Sequence, residues 1–185
     1  MSIDSQILNP EMYFGILEKR LSADRYSVQR NVQMAGYPLD LFAMKGSWEL
    51  TKVGKVMRFV LGTKMDSVDV DDIKKYSKIM MHYVLETWKR ERSTGFYSKS
   101  IFCFPLVIST NAPKSVKDWL NEATMDECWL ACEFPALFLL DDSQAYYSNK
   151  TPTWGKLYYN GIRNFVKSQF SIRIDKNQQQ GNPTH

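Results

Sequence analysis

The sequence predicts an α/β fold: one mixed sheet with helices packed against it. Two patterns point to it. Three β-type stretches follow one another between residues 26 and 65 with a helix signal on either side. Further on, an apolar strand, a short helix and a second apolar strand succeed each other between residues 101 and 140. Strand, helix, strand at this spacing argues for a right-handed crossover joining parallel strands covered on both faces.

The elements follow in order. Asn9 is a capping residue and Pro10 suits the first helical position, so a helix opens there and runs to about Leu21. Tyr13, Phe14, Leu17 and Leu21 give it one apolar face. Tyr26 to Gln33 alternates around Tyr26, Val28 and Val32; Tyr37 to Met44 and Lys55 to Met65 complete a three-stranded meander. Gly36-Tyr37-Pro38 divides the first from the second, and Gly46 and Gly54 bracket the next connection, where Trp48 to Lys52 extends a hairpin. A second helix begins near Val68, with Asp69, Asp71 and Asp72 at its positive end and Lys89, Arg90 and Arg92 at its negative end. Ile73, Tyr76, Ile79, Met80, Tyr83, Val84 and Trp88 form its stripe, and Gly95 lets the chain leave.

Ile101 to Ile108 is the next strand, interrupted in pattern by Pro105; Ala112-Pro113 opens a helix to about Glu122. Trp129 to Leu140 supplies a strand from Phe134 onward, and Pro135, like Pro105, signals a bulge, an edge position or a late start. After the turn at Asp141-Asp142-Ser143 come a return strand, Gln144 to Tyr147, and a last helix, Leu157 to Phe170. Residues 1–176 read as one domain, and Asn177 to His185 as a disordered polar tail.

Composition narrows the class. The 185 residues are 44% apolar and 14% aromatic, enough for a core and far from a disordered composition. The start of the chain has no basic segment followed by an apolar one, and the most apolar stretch, Trp129 to Leu140, is far shorter than the roughly 20 residues of a membrane helix. Three cysteines cannot close a disulfide framework, so reduced thiols in a cytoplasmic, non-membrane protein are expected. Cys128 and Cys132 lie at C-x₃-C spacing, but with Cys103, His82 and His185 the only other soft donors they read as small buried apolar residues rather than zinc ligands. No phosphate-cradling glycine loop, nucleophile elbow or H-E-x-x-H is present.

Two short segments carry a resemblance. Pro38-Leu39-Asp40 falls at the start of the second strand, and Gly62-Thr63-Lys64 near the end of the third. With the order helix, three strands, helix, strand, this resembles the PD-(D/E)XK nuclease superfamily, the restriction-endonuclease-like fold, over residues 10 to 140. The resemblance implies Asp40 as a metal ligand and Lys64 as the catalytic lysine. Gly62 stands where the family has an acid. One carboxylate holds Mg²⁺ or Mn²⁺ poorly, since its remaining ligands are waters that nothing fixes. Asp72-Ile73-Lys74-Lys75-Tyr76 resembles the Gln-x-x-x-Tyr motif of RecB-type members, which implies Asp72 as a migrated metal ligand and Tyr76 as support; Glu18 matches a supporting acid of the first helix. Against this, Asp72 also reads as an ordinary acid of a helix first turn, and Asp40 and Lys64 as strand-end polar residues.

A last signal lies in the C-terminal segment. Between Lys150 and Lys176 stand six basic residues and one acid, interleaved with aromatics. Such a mixture suits a phosphate backbone and makes Lys156, Arg163 and Lys167 candidate contacts, while Phe165 reads as docking the helix on the sheet. The net charge of +4 adds only mild attraction. The sequence therefore predicts a nuclease-fold protein that binds DNA or RNA, catalytically impaired by Gly62. Its alternatives are an active Mg²⁺-dependent phosphodiesterase with a migrated acid, and a non-catalytic module that forms a homodimer or another protein interface.

Overall fold

The computed structural model describes residues 8–34, 36–49, 54–92, 100–123, 131–150 and 156–172. The described elements are α1 (Pro10–Ala23), β1 (Ser27–Met34), β2 (Tyr37–Glu49), β3 (Gly54–Lys64), α2 (Val70–Arg92), β4 (Ser100–Ser109), α3 (Lys114–Glu122), β5 (Ala131–Glu133), β6 (Ala136–Leu139), β7 (Gln144–Tyr147) and α4 (Lys156–Phe170). The tail from Asn177 onward, Cys128 and the stretch Trp129-Leu130 lie outside the described residues.

One seven-stranded sheet has the order β1-β2-β3-β4-β6-β7, with β5 also pairing with β4. The meander β1-β2-β3 is antiparallel; β3, β4 and β6 are parallel, and β7 returns antiparallel. The α/β class and the strand–helix–strand unit are as the pattern predicts. On one face α1 and α4 cover Leu41, Val60, Phe104 and Phe138. On the other, α2 and α3 cover Leu39, Phe59, Cys103 and Leu137. β4 is buried along its whole length, as a strand covered on both sides must be.

Several boundaries differ from the sequence reading. α2 begins at Val70 because Asp69 and Asp72 close a box: each accepts the other's backbone N–H, at 2.8 and 3.0 Å. The strand expected from Phe134 starts at Ala131 and is split into β5 and β6 by Phe134-Pro135. Pro105 explains the split. Cys103 pairs with Glu133 and Leu106 with Ala136, so Pro105 and Pro135 lie at the same level. The Phe134 N–H donates to the Cys103 carbonyl (2.8 Å), and the next rung of a parallel ladder would need an N–H that Pro105 lacks. The prolines mark neither an edge nor a shift of register, only one missing rung inside a central strand.

α1 and α4 hold each other at their ends. The Tyr13 hydroxyl donates to the Phe170 carbonyl (2.8 Å), and burial pushes its phenol well above its ordinary range. The Arg20 guanidinium donates to the carbonyls of Gln169 (3.0 Å) and Ser171 (2.7 Å), groups that a helix end leaves without partners. Phe165 packs on Phe104 (ring centroids 4.7 Å apart), so it docks α4 as expected.

α3 is tied to the turn after β6 in a similar way. The Lys117 ammonium (2.7 Å) and the Tyr146 hydroxyl (2.7 Å) both donate to Asp142 Oδ2. These bonds, the lysine's first, hold the Asp142 carboxyl below its ordinary range. A lowered folded-state pKa means that the contact stabilises above the ordinary carboxyl range and is lost as pH falls through the lowered value. In Lys117→Met, the Asp142 carboxyl should titrate at higher pH by NMR, with part of the depression left by Tyr146. An unchanged titration would show that the lysine bond contributes nothing.

Candidate functional site

The expected motif lies where β2 and β3 stop pairing. Leu41 opposite Gly62 is the last rung between them. Beyond it, side chains replace the ladder: Asp40 Oδ2 accepts the Lys64 N–H (2.8 Å), and the Thr63 hydroxyl donates to the Pro38 carbonyl (3.2 Å). The ladder stops because both β1 and β2 reverse their facing at this level. Leu39 and Leu41 are two residues apart, yet they belong to the cores on opposite faces of the sheet. Across the pair, Val28 and Met34 do the same, and Asn31, opposite Asp40, takes φ 54° in the left-handed region that Asn tolerates better than most residues. Asp40 and Lys64 are thus neighbours, and the aspartate holds the backbone of Lys64.

The space beside Gly62 is filled. A Cβ on Gly62 would lie 2.7 Å from Cε1 of Phe14 and 3.5 Å from Cβ of Leu41. Phe14 is 1% exposed, a buried ring of α1 that cannot step aside cheaply. The Arg30 guanidinium lies over that ring, 5.4 Å from its centroid. It donates to the Asp40 carbonyl (2.7 Å) and to Glu11 (2.8 Å), with Glu18 at 3.4 Å. Glu18 therefore faces a fixed cation.

Tyr76 is buried on the other face, and its hydroxyl donates to the Leu61 carbonyl (2.9 Å), bracing the strand just before Gly62. Burial first, then the nearby Cys103 and Asp40, push its phenol well above the ordinary range, so it stays a neutral donor. Asp72 is one i, i+4 step from Tyr76, but its carboxylate serves the helix start with Asp69. Among the described residues no three of His, Cys, Asp and Glu group together as metal ligands. The donor set does not fit a divalent cation: one motif carboxylate, no room for the second, and the neighbouring glutamates held by a guanidinium.

The chain matches no family model, no curated protein and no solved structure.

The remaining candidates stand apart from this motif. Lys156, Arg163 and Lys167 fall on one stripe of α4 by their spacing; the side chain of Lys156 lies outside the described residues. Arg163 is half-buried with Nη1 3.4 Å from Asn160 Oδ1, and Lys167 is exposed in the last turn. Cys103 is fully buried, and burial followed by the nearby Glu133 raises its thiol well above the ordinary range, which makes it inert. Glu133 instead accepts a hydrogen bond from the Ser77 hydroxyl. His82 is exposed on α2.

Sequence reasoning missed Arg30 and Phe14 as parts of the site. Arg30 stands between Val28 and Val32 in the alternation of β1, a cation at an inward position, and that was the available signal.

The Phe14–Gly62 contact can be tested by a double-mutant cycle. Gly62→Ala should cost about 1–3 kcal/mol in denaturant unfolding, the usual cost of overpacking. In a Phe14→Ala background most of that cost should vanish. Equal costs in both backgrounds would mean that the ring does not occupy the space.

Proposed function

We propose that this protein is a restriction-endonuclease-like fold whose metal-dependent chemistry has been lost and which binds nucleic acid without cutting it. The observation that carries the reading is the filled position at Gly62. An acid there would collide with Phe14, and the cation beside it is Arg30, covalently part of the chain. A fixed guanidinium held by Glu11 and Glu18 neutralises the charge that would otherwise attract a divalent ion, and it cannot activate water as a metal does.

The fold part of the reading draws on the element order: one helix, three antiparallel strands, a helix, and a fourth strand parallel to the third. Asp40 and Lys64 fall at the ends of the second and third strands, with Tyr76 bracing the third. Nucleic-acid binding draws support from the basic stripe of α4 and from the positive net charge. A fold kept after its chemistry is gone is consistent with the general separation of fold from site.

The test has two arms. Titration calorimetry should show no binding of Mg²⁺ or Mn²⁺, and neither DNA nor RNA should be cleaved in the presence of either ion. Fluorescence anisotropy should show binding to nucleic acid that weakens linearly in log–log form as salt rises. Divalent-dependent cleavage that is lost in Asp40→Asn would restore the active-nuclease reading. No binding even at low salt would remove nucleic acid as the partner.

A further inference from the structure

On the sheet face that α2 covers, β2 carries a row of side chains that runs on past the core. Phe42, Met44, Gly46 and Trp48 alternate onto this face, and the first two pack into the core beneath α2. Trp48 continues the row and is 56% exposed, the only large apolar side chain among the described residues that is. A lone exposed leucine is ordinary, whereas tryptophan is highly buried on average and is enriched where proteins bind.

The sheet fixes what stands beside the indole. Lys55 on β3 is the direct cross-strand partner of Trp48, a relation that places the two Cβ atoms about 5 Å apart. Gly46, about 7 Å back along β2, presents no side chain on this face. A Cβ there would lie 2.9 Å from Met57 Sδ and 3.1 Å from Lys55 Cε. The stem of Lys55 therefore lies across the glycine, and its exposed ammonium stays on the indole's side of the sheet. From residue 45 to 58 the sequence carries four basic residues, Lys45, Lys52, Lys55 and Arg58, against the single acid Glu49. The stretch thus favours a polyanion. An exposed flat ring with a cation beside it is the pairing that takes a base and its phosphate.

We propose that Trp48 stacks on an unpaired base of a single-stranded nucleic acid while Lys55 meets the phosphate beside it. The inference rests on the nucleic-acid reading above and deepens it, by naming the form of nucleic acid and the side chain that selects it. In a duplex each base is covered on both faces by its neighbours, so only a splayed base offers a face to an indole. Such stacking tolerates any sequence, because every base has that face. Trp48 also interacts within the chain, and stacking uses only the exposed part of its ring. The row faces away from α1 and α4, so this contact is separate from the basic stripe of α4.

The experiment is fluorescence anisotropy of the full chain, across a salt series, with three labelled oligonucleotides of equal length. One is single-stranded and of mixed sequence, one is its duplex, and one is an abasic strand that keeps the phosphates but lacks the bases. Wild type should bind the single strand about tenfold or more tightly than the abasic strand, a comparison that needs no variant. Trp48→Ala should lose about tenfold or more on the single strand, with an unchanged salt slope and little change on the duplex. Trp48→Phe keeps a ring and should retain most of the binding. Lys55→Gln should reduce the salt slope on the single strand by about 1. Thermal melting checks the fold of each variant. Equal wild-type affinity for the intact and abasic strands, or equal loss on single strand and duplex in Trp48→Ala, overturns the inference and leaves the nucleic-acid reading intact. A wild-type dimer in sedimentation that Trp48→Ala abolishes, with single-strand affinity unchanged, overturns it in favour of a second copy of the chain. No binding by wild type to any of the three overturns both.

Discussion

The contact between the Phe14 ring and the bare backbone of Gly62 fixes how closely α1 can approach the sheet. With no side chain at 62, the ring sits down onto β3, and the rest of α1 follows it. Tyr13 then reaches Phe138, ring to ring at 4.0 Å, and its hydroxyl finds the last carbonyl of α4. Arg20, two turns further along, reaches the other carbonyls of that helix end. The ring also gives the Arg30 guanidinium an apolar floor, and Arg30 in turn gathers Glu11 and Glu18 from the solvent side of α1. One missing Cβ thus permits a chain of contacts that joins α1 to the sheet, to α4 and to β1. A side chain at 62 would push against Phe14 and so against the helix that closes this face of the core.

Asp40, Thr63 and Tyr76 have structural work here. The sheet changes facing at Asn31 and Asp40, and a change of facing costs ladder hydrogen bonds. The Asp40 carboxylate and the Thr63 hydroxyl replace them across the β2–β3 gap, and the Tyr76 hydroxyl takes the Leu61 carbonyl. Each of these polar groups would have an explanation in backbone satisfaction alone. Residue types suited to a catalytic site can therefore stand at such positions for reasons that involve no chemistry.

Local signals were legible in the sequence; encounters between distant segments were not. Asn9-Pro10 announces α1, and Asn9 does accept the Met12 N–H at 2.9 Å. The acids at 69, 71 and 72 announce α2, where Asp72 takes the helix-start role that its position suggests. The prolines at 105 and 135 were visible as a disturbance. That they fall at one level, where they remove a single rung, requires the register between β4 and its neighbours. Gly62 reads as an absent ligand until the ring of Phe14 is placed on it, and nothing in the spacing of the two residues brings them together. Lys45 and Arg58 are likewise unremarkable one by one; their pairing follows from the antiparallel register of β2 and β3.

Charge shows the same difference between composition and placement. A net charge of +4 over 185 residues is mild and by itself selects no partner. Acids stand at the start of α2, where the helix dipole presents its positive end, whereas α3 opens with Lys114 and has none in its first turn. Cations stand at both ends of the strands, Lys64 at the carboxyl end of β3, and Lys45 and Arg58 pair in mid-strand, each over a ring. Over distances of a Debye length, about 8 Å in physiological salt, an approaching polyanion responds to this local arrangement rather than to the total.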